Sequence, residues 1–299
     1  MAKSSKGWSN SRCEDENKIL NIEFQKKAEE ELHETPENYK KEITALRAMI
    51  TKDENLNVPD DEEFLLRFLR ARKFDSKKAF NMMQRYYLMK LKCPELFGYS
   101  LPSEFEKVFD LQAQNMLPDR DLEGRRIYII RVDYFDSSQV TIEDVFRTNI
   151  LALEHIVKEP ETQVSGIVVI LDMAGLSLQH AKFFTPYYAK KMVELVQETF
   201  PLRFKGFHVV NEPFYFDAVM TVLKPFLKEK IRKRIYLHGN DLNSLHAFIP
   251  GEILPKEYGG SKGNFDNRSW FIQLISEEKY FLEQQQYGYK IDESTQDPE

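Results

Sequence analysis

The stretch Gly166-Ile167-Val168-Val169-Ile170-Leu171-Asp172 is apolar at every position between its ends. A short uninterrupted run of this kind, rich in β-branched residues, suits a strand buried on both faces. Related runs flank it. Ile127-Tyr128-Ile129-Ile130-Arg131-Val132 follows the turn signal Asp121-Leu122-Glu123-Gly124, and Phe207-His208-Val209-Val210 and Ile235-Tyr236-Leu237 come later. Between them lie helical patterns: one capped by Thr141 and running to about Val157, one opened by Thr185-Pro186 and ending before Pro201, and one from Asn211 to Lys230. Strands alternating with helices predict α/β layers around a mainly parallel sheet. No internal repeat is present.

The first third reads differently. Residues 1–13 form a loose polar tail, and a helical pattern then runs to Leu32. Thr35-Pro36 is an N-cap followed by Pro at the first helical position, and Tyr39, Ile43, Leu46 and Ile50 form an apolar stripe. Asp60 with Glu63 resembles a capping box before Phe64, Leu65, Phe68 and Leu69. Ser76 opens a further helix that stops before Pro94. The expected organisation is a small all-α domain over residues 14–97, an α/β domain over 98–275, and a helix end with a polar tail over 276–299. The last helical stretch runs from about Trp270 to Leu282.

Several classes of function are disfavoured. A chain of 299 residues can bury a large core without staples, and its two cysteines, Cys13 and Cys93, suit a reducing compartment. No signal peptide and no run of about 18 apolar residues is seen, so the sequon Asn267-Arg268-Ser269 reads as incidental. The net charge of −6 argues against nucleic acid as a partner. Phosphate-binding glycine loops, a Gly-x-Ser-x-Gly elbow, His-Glu-x-x-His and Cys-x-x-Cys are all missing, so no cofactor, metal or enzymatic activity is expected. The histidines at 33, 155, 180, 208, 238 and 246 read as structural, and Asp172 as a loop cap rather than an acid.

Charge is unevenly spread. Residues 1–63 carry 10 basic and 16 acidic side chains, and residues 261–299 carry 4 and 8. Residues 64–100 carry 9 basic and 2 acidic, and residues 203–234 carry 8 and 3. Two basic blocks in an acidic protein either meet a shared anionic partner or are solvated helix faces. The helices between the strands are apolar on more than one face, as in Val145, Phe146, Ile150, Leu153 and Ile156, so they are buried in a core or face lipid. The segment from Phe214 is amphipathic and runs into Lys224, Lys228, Lys230, Arg232, Lys233 and Arg234, a combination suited to anionic lipid.

Over about residues 60–275 the chain resembles the CRAL-TRIO family of lipid-exchange proteins. Phe64-Leu65-Leu66-Arg67-Phe68-Leu69-Arg70-Ala71-Arg72-Lys73-Phe74-Asp75 is similar to the family's N-terminal helical domain. Phe200-Pro201-Leu202, Asn211-Glu212-Pro213, Lys224-Pro225-Phe226-Leu227, His238-Gly239-Asn240 and Leu254-Pro255-x-Glu257-Tyr258-Gly259-Gly260 are similar to its lipid-binding domain. The resemblance implies an α/β domain enclosing an apolar pocket, closed by a mobile lid helix at about Asn211 to Lys230. In tocopherol-carrying members a basic cleft binds a phosphoinositide head group, and the matching positions are Arg72, Arg203, Lys205, Lys230 and Arg234. The matching pocket positions are Phe146, Asn149, Ile150, Leu153, Ile167, Leu171, Phe184, Met192, Leu195, Val196, Phe200, Phe204 and Phe207, with Val219, Leu223 and Phe226 from the lid. Asn149 and Leu153 stand where those carriers have serines, and Phe184, Phe204 and Phe207 replace smaller side chains. A narrow ligand with one polar end is therefore as plausible as tocopherol: a retinoid, a terpenoid or a fatty acyl lipid. The resemblance implies a monomeric, cytoplasmic carrier that meets phosphoinositide-bearing endosomal or plasma membranes transiently. The alternative is a phosphoinositide-sensing trafficking adaptor whose pocket lipid is structural.

Overall fold

A computed structural model describes residues 20–135, 138–177, 180 and 185–290. The helical part comprises α1 (Ile22–Leu32), α2 (Pro36–Lys52), α3 (Glu62–Ala71), α4 (Ser76–Lys92), α5 (Pro94–Phe97) and α6 (Glu106–Asp110). Thr35 caps α2 through the Asn38 amide, as expected. The cap of α3 is Asp61, not Asp60: its carboxylate accepts from the Phe64 amide at 2.8 Å, while Asp60 pairs with Arg47. The two aspartates are adjacent, and only one of them can sit where the backbone turns into the helix.

The sheet holds β2 (Gln114–Arg120), β3 (Arg126–Arg131), β4 (Ile167–Asp172), β5 (Phe204–Val210) and β6 (Ile235–Leu237), in that spatial order. Three of its pairings are parallel; β2 is an antiparallel edge that pairs with β3 across the Asp121–Gly124 turn. The crossovers are α7 (Ile142–Ile156) and α8 (Pro160–Ser165), then α9 (Pro186–Glu194), then α10 (Phe216–Leu223) and α11 (Glu229–Arg232). Thr141 caps α7 in a reciprocal capping box with Asp144. The chain closes with α12 (Leu242–His246), α13 (Arg268–Ser276) and α14 (Glu278–Gln284). Gly288–Tyr289 (β7) pairs with Leu56–Asn57 (β1), so the polar C-terminal segment returns to the helical part.

The two faces of the sheet are covered unequally. On one, Ile127, Ile129, Val168, Ile170 and Val210 pack against Leu245, Ile249, Leu254 and Tyr258, all of them buried. On the other, Tyr128, Ile167 and Val169 join α7 and the helical part in the largest core. Val209 joins a separate cluster beneath α10, with Phe216, Met220 and Leu227. Ion pairs tie the helical part to this face. The Lys90 ammonium meets the buried Glu154 carboxylate at 2.8 Å, and the Tyr86 hydroxyl donates to the same group. Arg70, nearly inaccessible, is held between Glu34 and Gln163. Asn267 of the sequon is 1 % exposed and bonded to the Phe109 and Gln114 carbonyls, which fits the incidental reading.

Candidate functional site: an apolar face beside a cationic cleft

Ile130, Leu171 and Phe207 lie on three adjacent strands of the inner face, yet each is only half-buried. Val145 and Asn149 of α7, Tyr188 of α9, Val196, and Val219, Leu223 and Phe226 of the expected lid are half-buried too. The cavity found among the expected wall residues is small, about 10 Å³, between Ile150, Leu195 and Phe200 on one side and Tyr86, Met89 and Phe97 on the other, so the wall is closely packed in this structure. Leu171, Val196 and Phe207 touch both the main core and the cluster under α10, so they join the two. Of the expected wall, Phe146, Ile150, Leu153, Ile167, Leu195, Phe200 and Phe204 are buried in the main core. Phe204 and Phe207 are stacked, with ring centroids 5.9 Å apart. Met192 is 37 % exposed, at the surface of α9, and Phe184 lies outside the described residues.

Asn149 is a half-buried polar group of α7 on the inner side of the sheet. Its amide donates to the Val145 carbonyl at 2.7 Å and its oxygen accepts from the Tyr128 hydroxyl at 2.8 Å. Tyr128 also contacts the side-chain oxygen of buried Gln114, whose amide nitrogen has no protein partner. One hydroxyl proton cannot serve both oxygens. Turning the Gln114 amide over resolves this: Gln114 donates to Tyr128, and Tyr128 donates to Asn149. Among the described residues one N–H and one lone pair of Asn149 have no partner.

The expected lid is not one helix. Pro225 lacks an amide hydrogen, and the chain breaks into α10, a 3₁₀ turn over Lys224–Phe226, and α11. Its start is tied to the ends of β4 and β6. Asn211 has φ +55°, a left-handed conformation that Asn tolerates better than most residues. Its side chain donates to Asp172 at 2.9 Å, and the Glu212 carboxylate accepts from the Gly239 amide. Asp172 also accepts from the Ala174 amide and the Tyr258 hydroxyl, which accounts for it as a cap.

The far end of the lid is latched to the π-helical turn Leu195–Thr199. Gln197 accepts from the Lys228 amide at 2.7 Å and donates to the Phe226 carbonyl at 3.2 Å, and Glu198 binds the Lys228 ammonium and the Arg85 guanidinium. Arg72 donates to the Gln197 and Glu198 carbonyls at 3.3 and 3.4 Å. The same short stretch therefore holds the lid, packs Leu195 into the main core and contacts the helical part.

The basic residues converge next to it. Lys230 is lowered from its ordinary pKa by burial, then by the charges of Arg234, Lys73, Arg203 and Arg72. Arg234 is lowered by burial and by Arg203, and Arg72 by burial, with Arg85 acting in the same direction and Glu198 opposing. Lys205 is pushed down to about 8 by burial and by Arg203, against the pull of Glu31. Glu31 of α1 meets Arg203 at 2.6 Å and Lys205 at 3.2 Å. Burial pushes its carboxyl up, but the Arg203 hydrogen bond and the two cations outweigh this and hold it at about 2. The start of β5 is held close by Gly166, at φ +85°, where a Cβ would lie 2.1 Å from the Arg203 carbonyl oxygen.

A CRAL/TRIO domain profile matches residues 112–260, and a Pinta-like UBA domain profile matches residues 35–104. The alpha-tocopherol transfer protein-like protein of Homo sapiens is 43 % identical over 259 residues, spanning 86 % of this chain and 76 % of that one. Clavesin-2 of Homo sapiens is 37 % identical over 262 residues, 87 % of this chain and 80 % of that one. The chain belongs to the CRAL-TRIO family. The crystal structure of Sfh5 shares the fold, with a TM-score of 0.52 at 13 % identity over 89 % of this chain and 99 % of that one.

Within this CRAL-TRIO fold, Arg72, Arg203, Lys205, Lys230 and Arg234 lie within electrostatic reach along one cationic cleft. Arg67 and Arg70 of the first basic block do neither of the things expected of it, for both are buried structural groups. Glu31, Gln197 and Glu198 carried no motif, although Glu31 lies in the acidic N-terminal stretch. Lys205 supplies a pH dependence. It is cationic below about 8 and neutral above it, with Arg203, Lys27 and Glu31 as its charged neighbours. A bound polyanion favours the cation, so binding takes up a proton. Affinity for a soluble inositol phosphate is expected to fall as pH rises from 7 to 9 in isothermal titration. Lys205→Arg, whose charge persists, should flatten that fall; an unchanged slope would show that Lys205 is not the titrating group.

Proposed function

We propose that the protein is a non-enzymatic carrier that shelters an apolar ligand against the inner face of its sheet and exchanges it at phosphoinositide-bearing membranes. The carrying observation is the run of half-buried apolar side chains on the inner face, covered by a broken helical segment whose far end is latched beside converging cations. Membership of the family and the name of the tocopherol-transfer-like relative support a lipid as the cargo. Among the described residues no helix is long and apolar enough to cross a membrane, so contact with a bilayer falls to surface segments. Phe214, 95 % exposed at the foot of the lid, suits such contact.

Two terms of similar size would govern exchange. Withdrawing roughly 300 Å² of ligand surface from water contributes about 7 kcal/mol. Basic residues at an anionic surface contribute on the order of 1 kcal/mol each, so a cluster of five offsets much of that. A head group drawn onto Arg72 competes with its hydrogen bonds to the Gln197 and Glu198 carbonyls, in the stretch that holds the lid through Phe226 and Lys228. Binding there favours the open lid, and by linkage the apolar ligand binds more weakly when the head group is bound.

Asn149 is proposed as the anchor for one polar end of the cargo. Asn149→Leu is expected to reduce affinity for hydroxyl-bearing probes several-fold relative to hydrocarbon analogues, read by fluorescence displacement. An unchanged ratio would confine Asn149 to bonding Tyr128 and Val145.

The test of the carrier reading is transfer of bound lipid to vesicles of equal charge, with and without phosphoinositide. Faster transfer to the phosphoinositide vesicles is expected. Arg72→Ala and Arg234→Ala should slow it about ten-fold while leaving ligand affinity in solution unchanged. Equal rates to both vesicles would remove the phosphoinositide role, and absence of transfer would favour the adaptor with a structural lipid.

A further inference from the structure

The cationic cleft is not uniformly open. Arg203 and Lys205 share one oxygen of Glu31, with the Lys27 ammonium 4.0 Å from the other. Among the described residues Lys230 and Arg234 have no carboxylate partner, and their electrostatic neighbours are chiefly cations. Glu31 projects from α1, whose N-cap is Asn21 and whose Phe24 ring packs against Gly124 of the β2–β3 turn. Lys27 of the same helix donates to the Glu123 carbonyl at 2.6 Å. The helix is thus pinned to the α/β domain at one end and presents Glu31 to the cleft near the other. The carboxylate is about one-third exposed, so an incoming anion can reach it.

We propose that Glu31 sets the head-group selectivity of the cleft by standing where a phosphate oxygen would otherwise bind. This rests on the cleft being a phosphoinositide site and adds what tunes it. A carboxylate places a single negative charge on Arg203 and Lys205, whereas a phosphomonoester carries about −1.5 to −2 and three acceptor oxygens. A head group with one phosphate gains little by displacing a partner already in place. One with two or more phosphates can engage Lys230, Arg234 and Arg72 at the same time, and the added charge-assisted hydrogen bonds outweigh the loss of Glu31. The carboxyl stays ionised throughout the physiological range, so the discrimination is built in rather than switched by pH. Without Glu31 the cleft would accept singly phosphorylated lipids and plain anionic lipids more readily, at the cost of leaving Arg203 and Lys205 to repel each other.

The experiment compares the natural protein with Glu31→Gln, Glu31→Asp and Glu30→Gln. Binding is measured to phosphatidylcholine vesicles doped, at matched total charge, with phosphatidylserine, a singly phosphorylated phosphoinositide or a doubly phosphorylated one. Soluble inositol phosphates run in parallel separate the head group from the bilayer. Glu30 pairs loosely with Lys26 at 3.8 Å on the exposed side of α1, so Glu30→Gln makes the same charge change outside the cleft. Glu31→Gln is expected to bind the singly phosphorylated lipid about ten-fold tighter, equivalent to about 1.4 kcal/mol, with a much smaller gain for the doubly phosphorylated one. Glu31→Asp should fall between, and Glu30→Gln should match the natural protein. Circular dichroism checks that α1 remains folded, and Glu31→Asp carries the comparison if the glutamine variant unfolds. If the natural protein prefers phosphoinositide and the Glu31 variants keep the same selectivity ratio, this inference falls and the cleft reading stands. If neither the natural protein nor any variant prefers phosphoinositide over phosphatidylserine, both fall.

Discussion

Like charges drawn close together are the constraint around which this molecule is arranged. Arg72 comes from the end of α3, Arg203 and Lys205 from the start of β5, and Lys230 and Arg234 from the end of the lid; Arg203 lowers the proton affinity of Lys205, Lys230 and Arg234, and Arg72 and Arg234 lower that of Lys230. Such a cluster opposes folding unless something offsets it. Glu31 does so for Arg203 and Lys205, and Glu198 does so for Arg85 and Lys228. Backbone carbonyls do the rest: Arg72 reaches those of residues 197 and 198, Arg203 that of Val164, and Arg234 that of Phe204. Apart from Lys230, the cluster is thus satisfied by a shared carboxylate and by backbone carbonyls.

Its position gives it mechanical reach. From Leu195 to Lys205 the chain passes through a π-helical turn, a Pro-terminated loop and the start of a strand. Leu195, Val196 and Phe200 belong to the apolar side, Gln197 and Glu198 hold the lid, and Arg203 and Lys205 belong to the cleft. Insertions of one residue into a helix recur at functional sites because they re-aim neighbouring side chains. Here the wider turn accompanies carbonyls directed to Arg72 and side chains directed to the lid. The lid has a matching build: a left-handed Asn211 tied to Asp172 at one end, a break at Pro225, and a latch at residues 226–228. The segment also packs through Phe216, Met220 and Leu227, but much of its surface is exposed and it lacks the ladder hydrogen bonds of the strands beneath it, so it is held more weakly than they are.

Much of the scaffold was legible because it obeys local rules. The run ending at Asp172, the caps at Thr35 and Thr141, and the helix opened by Thr185-Pro186 follow from periodicity and capping chemistry. The register of the α3 cap was missed by one residue because Asp60 and Asp61 are chemically equal until Arg47 engages one of them. Strand β2 went unseen because Gln114, Asn115 and Pro118 break its pattern, and it is stabilised by pairing with β3 alone. The Arg residues of the first basic block looked like one class, but tertiary packing sorts them: Arg67 under Tyr280, Arg70 between Glu34 and Gln163, Arg72 into the cleft. Glu31 was illegible for the same reason. It is one of several glutamates on an amphipathic helix, and only the docking of that helix against β5 distinguishes it.

The central claim is that the cleft and the lid are coupled through residues 195–205, and amide hydrogen exchange of the lid tests it most directly. Protection of the Phe216–Leu223 amides is measured in lipid-loaded protein, with and without a saturating soluble inositol phosphate carrying several phosphates. The account predicts that the polyanion lowers protection in that segment while residues 167–172 of β4 are unaffected. Unchanged or increased protection of Phe216–Leu223, with the polyanion demonstrably bound, would contradict it.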